Sequence, residues 1–255
     1  MAKRTRKKKY RWTIVLIVAA ITIAFVLGYN WWLGGRARFV RYPAFGISIP
    51  EKYSIHGIDV SRFQQRIVWE EVKAMQVKNV RIEFAFIKAT EGIGNTDRHF
   101  FRNWKKSKQA GITRGAYHFF LATRDGREQA ENFINTVELE PGDLPPVVDI
   151  EQTYGINTPT LKGELKEWLD VVENYYKAKP IIYTNVDFYK QFLGKDFDSY
   201  PLWAAHYFQR NEPYIRRDWL FWQHSEEGRV NGILSKVDFN VFSGDSTDFR
   251  NLLID

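Results

Sequence analysis

The chain has 255 residues, a formal net charge of +7, no cysteine, and 44% apolar and 16% aromatic residues. This composition excludes a disordered chain and leaves ample length for a large core. The missing cysteines exclude a disulfide framework and a thiolate metal site. The basic excess does not mark a nucleic-acid-binding domain, because Lys3, Arg4, Arg6, Lys7, Lys8, Lys9 and Arg11 all precede the first acid. Without these seven, the rest of the chain carries no net charge.

After the basic tail (residues 1–11), no charged residue occurs from Trp12 to Leu33. About twenty apolar residues cross a bilayer as one helix. Trp12 stands at one end and Tyr29, Trp31 and Trp32 at the other, as in interfacial aromatic belts. The basic flank keeps residues 1–11 in the cytoplasm and sends the rest across. A cleaved signal peptide is the rival reading, but Gly28, Tyr29, Asn30 and Trp31 make a poor cleavage site. The prediction is a transmembrane signal anchor over 12–33. Residues 34–54 are rich in Gly, Pro and Arg without sustained periodicity and read as a juxtamembrane linker. Arg36, Arg38 and Arg41 there suit either lipid headgroups or solvent.

From residue 55 onward, β-rich runs recur: IHGIDV (55–60), FAFIKAT (84–90), RGAYHFF (114–120), PPVVDIE (145–151), PIIYTN (180–185), PLWAAHY (201–207), LFWQHS (220–225) and KVDFNVF (236–242). Helical spacing fills the intervals between the first six, at 67–75, 97–111, 125–137, 158–178 and 187–194. In the second, Phe100, Phe101 and Trp104 are predicted on one face, with Gly111 as the stop. The fourth is expected to be capped by Thr158, with Pro159 in its first turn. Strand–helix alternation implies a parallel sheet. Eight strands with only about five helices predict a modified (β/α) barrel over 55–255. An open doubly wound sheet is the alternative, but no Gly-rich phosphate loop follows a strand.

In such a barrel the site lies at the C-terminal strand ends. Asp59 closes the first strand, Glu91 follows the second, Asp149 and Glu151 close the fourth, and Asp238 lies in the last. Residues two apart on a strand share a face. Asp149 and Glu151 would therefore stand side by side, which is unfavourable for two like charges unless the site uses them. A solvated strand end is the plain alternative. Closure would make the first and eighth strands neighbours and bring Asp59 beside Asp238. Tyr117, Tyr183, Trp203, Trp222 and Gln223 fall around the acids, the aromatic and amide lining that sugars favour. His118 reads better as a hydrogen-bonded core histidine, and Glu91 as a possible ion-pair partner of a loop base such as Arg98.

In this order, HGIDVS, FAFIKATEG, AGITRGAYHFF, LPPVVDIE, IIYT, PLWAAHY, WQHS and VDFN resemble the glycoside hydrolase family 25 lysozymes, the Chalaropsis-type muramidases, over about residues 55–243. The resemblance implies a modified barrel with five helices and three closing strands. It implies cleavage of the β-1,4 bond between N-acetylmuramic acid and N-acetylglucosamine in bacterial peptidoglycan, without metal or organic cofactor. Glu151 matches the general acid, Asp149 the carboxylate supporting the reacting centre, and Asp59 and Asp238 the other two cleft acids. Glu91, Tyr117, Tyr183, Trp203 and Gln223 are the candidate substrate contacts. His224 and His206 depart from the family's usual pattern. Retention is implied, through the substrate's acetamido group or an aspartate nucleophile. The expected partners are glycan strands and, through the helix, the bacterial cytoplasmic (inner) membrane, with the barrel on its outer side. Three alternatives stay open: a glycosidase acting on another amino-sugar polymer, a divalent-cation site for phosphodiester chemistry, and a non-catalytic wall-binding scaffold.

Overall fold

The computed structural model describes residues 2–34, 38–207, 209 and 211–255, and side chains from Trp12 onward except 31–34. Trp31 and Trp32, proposed as belt residues, and Arg36 therefore lie outside the described side chains. The chain divides into two compact units, Met1–Arg38 and Phe39–Asp255. The first is one helix, α1 (Ala2–Gly34), with an apolar stretch from Trp12 to Asn30 whose side chains are exposed.

The second unit is an eight-stranded closed barrel. Its strands are β3 (His56–Val60), β5 (Val80–Glu91), β7 (Thr113–Phe119), β8 (Val147–Asp149), β9 (Ile181–Asn185), β10 (Leu202–Ala205), β11 (Phe221–Gly228) and β12 (Val237–Phe242). The short strands β4 (Gln76–Val77) and β6 (Asn95–Thr96) pair only with β5. From β3 through β11 neighbours are parallel, and the β3–β5 pairing closes the ring. β12 runs antiparallel to both β11 and β3, which corrects the expectation of an all-parallel sheet. The physical reason is the connection. A parallel return needs a crossover, and the few residues between β11 and β12 permit only a hairpin.

Helices α2 (Trp69–Ala74), α3 (Phe100–Gln109), α4 (Gly126–Thr136) and α5 (Thr158–Tyr176) occupy predicted positions, and the fifth segment is a short turn α6 (Val186–Phe188) running into π-helical and 3-10 turns. Asn157 rather than Thr158 caps α5, accepting the Thr160 N–H at 3.0 Å. On α3 the buried face is Phe100, Asn103, Trp104 and Ser107, while Phe101 points to solvent. A final helix, α7 (Ser246–Leu252), was not anticipated.

Strand parity sorts the core into two layers. Ile58, Val60, Ala85, Ile87, Val148, Ile150 and Ile182 face outward under the helices. Phe84, Phe86, Val147, Ile181, Trp203, Phe221 and Phe242 face inward and fill the barrel, with Phe249 of α7 joining them at the base. Space inside is tight enough to demand glycine. A Cβ on Gly57 would meet the Phe84 ring at 2.4 Å, and one on Gly115 the Phe86 ring at 2.6 Å.

Part of the expected linker is not linker. Phe39–Tyr42 (β1) and Ile47–Pro50 (β2) form an antiparallel hairpin that buries Tyr42, Phe45, Ile47 and Ile49. Among the described residues no helix lies between β10 and β11 or between β11 and β12, so the outer faces of the last strands need another cover. The hairpin and Tyr53 supply it. Phe39 and Tyr53 pack edge-on against Trp222, and Phe45 against Phe239.

Candidate active site

The inward layer changes character at the rim. Below are phenylalanines; above them the same strand faces present Asp59, Lys88, Tyr117, Asp149, Tyr183, Trp203, Gln223 and Asp238, with Glu151 just past β8, around a cleft of about 430 Å³. Asp59 and Asp238 are direct register partners. Asp238 lies near the start of β12, yet reaches the same rim as the C-terminal strand ends because β12 is reversed.

Asp59 is the hub of a hydrogen-bond network. It accepts from Gln223 Nε2 at 2.8 Å and from Asn240 Nδ2 at 2.7 Å. Gln223 Oε1 in turn accepts from the Tyr183 hydroxyl at 2.8 Å and from the Tyr207 hydroxyl, and Asn240 Oδ1 accepts from Trp203 Nε1 at 2.8 Å. These outer bonds fix both amides with their N–H groups aimed at Asp59. Tyr183, Trp203 and Gln223, predicted as substrate contacts, thus line the cleft and also orient an acid.

Four carboxylates around one cleft cannot all be ionised cheaply. Burial and the neighbouring Asp59 push Asp238 up to about 9, so at neutral pH it carries a proton and hydrogen-bonds Asp59. Burial also raises Asp59, against the lowering effect of its amide donors. Glu151 is raised first by burial and then by the charge of Asp59, while Tyr183 opposes this. Asp149 and Glu151 repel each other, and this repulsion, after burial, raises Asp149. Asp149 is raised by burial and by Glu151 and pulled down by Lys88, and its Oδ1 is buried with no hydrogen-bond partner among the described residues.

Two residues read from the sequence stand elsewhere. Glu91 does not line the cleft; it pairs with Lys88 at 2.6 Å, not with Arg98, and acts on the cleft only through that lysine and at a distance. Trp222 faces the hairpin and donates to the His206 carbonyl at 3.0 Å. His118 is a core histidine, fully buried between Thr90 Oγ1 at 2.7 Å and Gln129 Oε1 at 3.2 Å and stacked on Trp168. Sequence reading missed Asn240, Tyr207, Lys88 and Phe63. The first two were findable by parity, two positions after Asp238 and four after Trp203. Phe63, 69% exposed at the cleft mouth, follows the first-strand acid in an otherwise polar loop. Away from the cleft, Asp125, Glu164 and Glu167 converge, but Asp125 caps α4, Glu164 accepts the Gly126 N–H at 2.7 Å and Glu167 pairs with Arg127.

A closed barrel with an acid cluster ringed by aromatics and amides at one rim defines a glycoside hydrolase architecture. The sequence profile of Glycosyl hydrolases family 25 matches residues 58–233, and the chain belongs to this family. Asp238 lies just beyond the matched span. The chain is 46% identical over 201 residues to the uncharacterized protein YegX of Escherichia coli (strain K12), covering 79% of this chain and 74% of that one. It is 34% identical over 209 residues to Lysozyme M1 of Streptomyces globisporus, covering 74% and 68%. The structure of a family 25 glycosyl hydrolase from Bacillus anthracis superposes with a TM-score of 0.74 at 30% identity, covering 83% of this chain and 99% of that one.

Proposed function

We propose that the chain is a muramidase that hydrolyses the β-1,4 bond between N-acetylmuramic acid and N-acetylglucosamine in peptidoglycan. The observation that carries this reading is geometric: Asp59, Asp149, Glu151 and Asp238 converge on one rim of the barrel, lining a single cleft with tyrosines and an amide. Glu151 is raised above its ordinary range by burial and Asp59, the direction a general acid requires. Glu151 donates its proton to the glycosidic oxygen as the C1–O bond breaks. The acetamido carbonyl oxygen of the substrate attacks C1 from the opposite face, so no enzyme nucleophile is needed and configuration is retained. Asp149, which lines the cleft, accepts the acetamido N–H and balances the positive charge that develops there. Glu151, now ionised, then takes a proton from the water that opens the cyclic intermediate. Asp59 and its network hold Asp149, Glu151 and the sugar in register. Tyr117 and Trp203 border the sugar, and Phe63 offers an apolar face at the mouth.

The hydrogen bonding favours this over metal-dependent phosphodiester chemistry, because Asp59 Oδ2 is already taken by two amide donors. We further infer that α1 is an uncleaved anchor holding the barrel outside the bacterial cytoplasmic membrane, with the basic tail inside.

The test uses the full chain in detergent, incubated with purified peptidoglycan, borohydride reduction and mass spectrometry, beside Glu151→Gln. Reduced muramic acid ends from the native protein are expected, with the variant slower by about 10²–10⁴. Reduced glucosamine ends would reassign the bond, and no fragments from either protein would favour a binding scaffold.

A further inference from the structure

A second groove, of about 550 Å³, runs beside the acid cleft. One wall is the outer face of the β1–β2 hairpin, the other the far end of β11. Hairpin register explains the first wall. Val40 faces Ile49 and Tyr42 faces Ile47 across the strands, and these side chains pack toward the core. Arg41 faces Ser48 on the opposite side, and with Phe39 this side looks into the groove. The second wall carries the buried ring of His224 and the exposed carboxylate of Glu226. Burial lowers His224 to about 3, so this ring is a neutral surface.

The groove and the cleft are adjacent, with Tyr207 and Glu226 lining both. Their chemistry differs. The cleft is ringed by carboxylates, hydroxyls and amides. The groove has an apolar floor of Phe39 and His224 between a cation on the hairpin and an anion on β11. Neither Arg41 nor Glu226 makes an ion pair among the described residues. A neutral sugar has no use for opposed charges across an apolar floor. A short peptide of alanines with free carboxylates and a free amine does. Peptidoglycan carries such a branch beside the bond to be cut, on the lactyl ether of muramic acid.

We propose that this groove is a subsite for the peptide branch of the substrate, with Arg41 receiving a carboxylate and Glu226 the amine of a diamino acid. The inference rests on the muramidase reading for its ligand. It adds a specificity determinant contributed by the hairpin, which lies outside the matched family span.

The experiment measures binding, so it does not depend on turnover. Full chain in detergent micelles is titrated by NMR with two probes: a synthetic stem tetrapeptide (alanine, γ-linked glutamate, diaminopimelate, alanine) and N-acetylchitopentaose. Wild type is expected to bind both. Arg41→Glu is expected to weaken the tetrapeptide about fivefold, the scale of replacing one partly exposed charge contact by a repulsion, and to leave chitopentaose unchanged. The unchanged chitopentaose also reports that the variant is folded. No tetrapeptide binding to wild type, or equal binding to the variant, would overturn the subsite. An equal loss for both probes would assign the groove to the glycan and overturn it too. A chain that binds the tetrapeptide but releases no muramic acid ends from walls would instead sink the hydrolase reading and leave the subsite standing.

Discussion

Asp238 shows how a fold sets the charge of a single residue. Unfolded, it ionises around its ordinary 3.8; folded, it keeps its proton up to about 9. Across that interval the unfolded state binds fewer protons than the folded one, so this group stabilises the barrel most below about pH 4, and its contribution declines as pH rises. Thermal melts at several pH values between 7 and 9, above the range in which the lowered His56, His118 and His224 affect the slope, should show a falling midpoint in wild type and a shallower fall in Asp238→Asn. An equally steep fall in the variant would contradict the assignment. Glu151 makes a second prediction at this scale. As the proposed general acid, Glu151 would act in its protonated form, so kcat/KM should fall as pH rises through a limb lying above the ordinary 4.5. The limb should move down in Asp59→Asn, which removes the charge that helps to raise it. The cluster itself was legible in the sequence, because i, i+2 parity and strand-end position are sequence properties. Which member holds which proton was not. That depends on burial and on amide donors such as Asn240, brought from the far end of the chain.

Among the elements, the inward faces of β3 and β7 and the β1–β2 hairpin carry the sharpest consequences. Gly115→Ala places a methyl carbon against the Phe86 ring, a buried side chain with no room to withdraw. Overpacking of this kind costs about 1–3 kcal/mol, measurable by chemical denaturation, with no change in the acids. The hairpin looked like a linker because Arg38, Arg41, Pro43, Gly46 and Pro50 break any long periodicity. The signal was present in short form, in the alternation of Val40 and Tyr42, then Ile47 and Ile49. Four-residue strands are too brief for a periodic test to separate from chance. Their partner surface, the uncovered backs of β11 and β12, exists only after the barrel closes. A chain trimmed to begin at Ile55 loses Tyr42, Phe45, Ile47 and Ile49 from the core. It should unfold at markedly lower temperature than one beginning at Arg38, since each large buried side chain contributes about 2–5 kcal/mol. Equal melting of the two would place the hairpin outside the cooperative unit.

For the molecule as a whole, the proposed anchor would make the barrel a hydrolase tied to one surface. If α1 is uncleaved, the protein isolated from cells should retain Met1 or Ala2 at its N-terminus and sediment with membranes through a high-salt wash. Intact-mass measurement and fractionation check both. A soluble species beginning near residue 30 would identify a signal peptide instead. Such tethering would confine action to glycan strands close to the membrane, and the stretch Trp12–Asn30 is apolar enough to face lipid.

The sequence by itself determined the eight barrel strands, the positions of the crossover helices and the acids at the rim, because each is written in local periodicity and strand parity. Tertiary structure alone decided three things. β12 is reversed, because a short connection from β11 permits no crossover. The hairpin belongs to the barrel, because the last strands lack helices to cover them. Protons are divided among four carboxylates, because burial and the bonds to Asn240 and Gln223 act only once residues far apart in the chain meet at one rim.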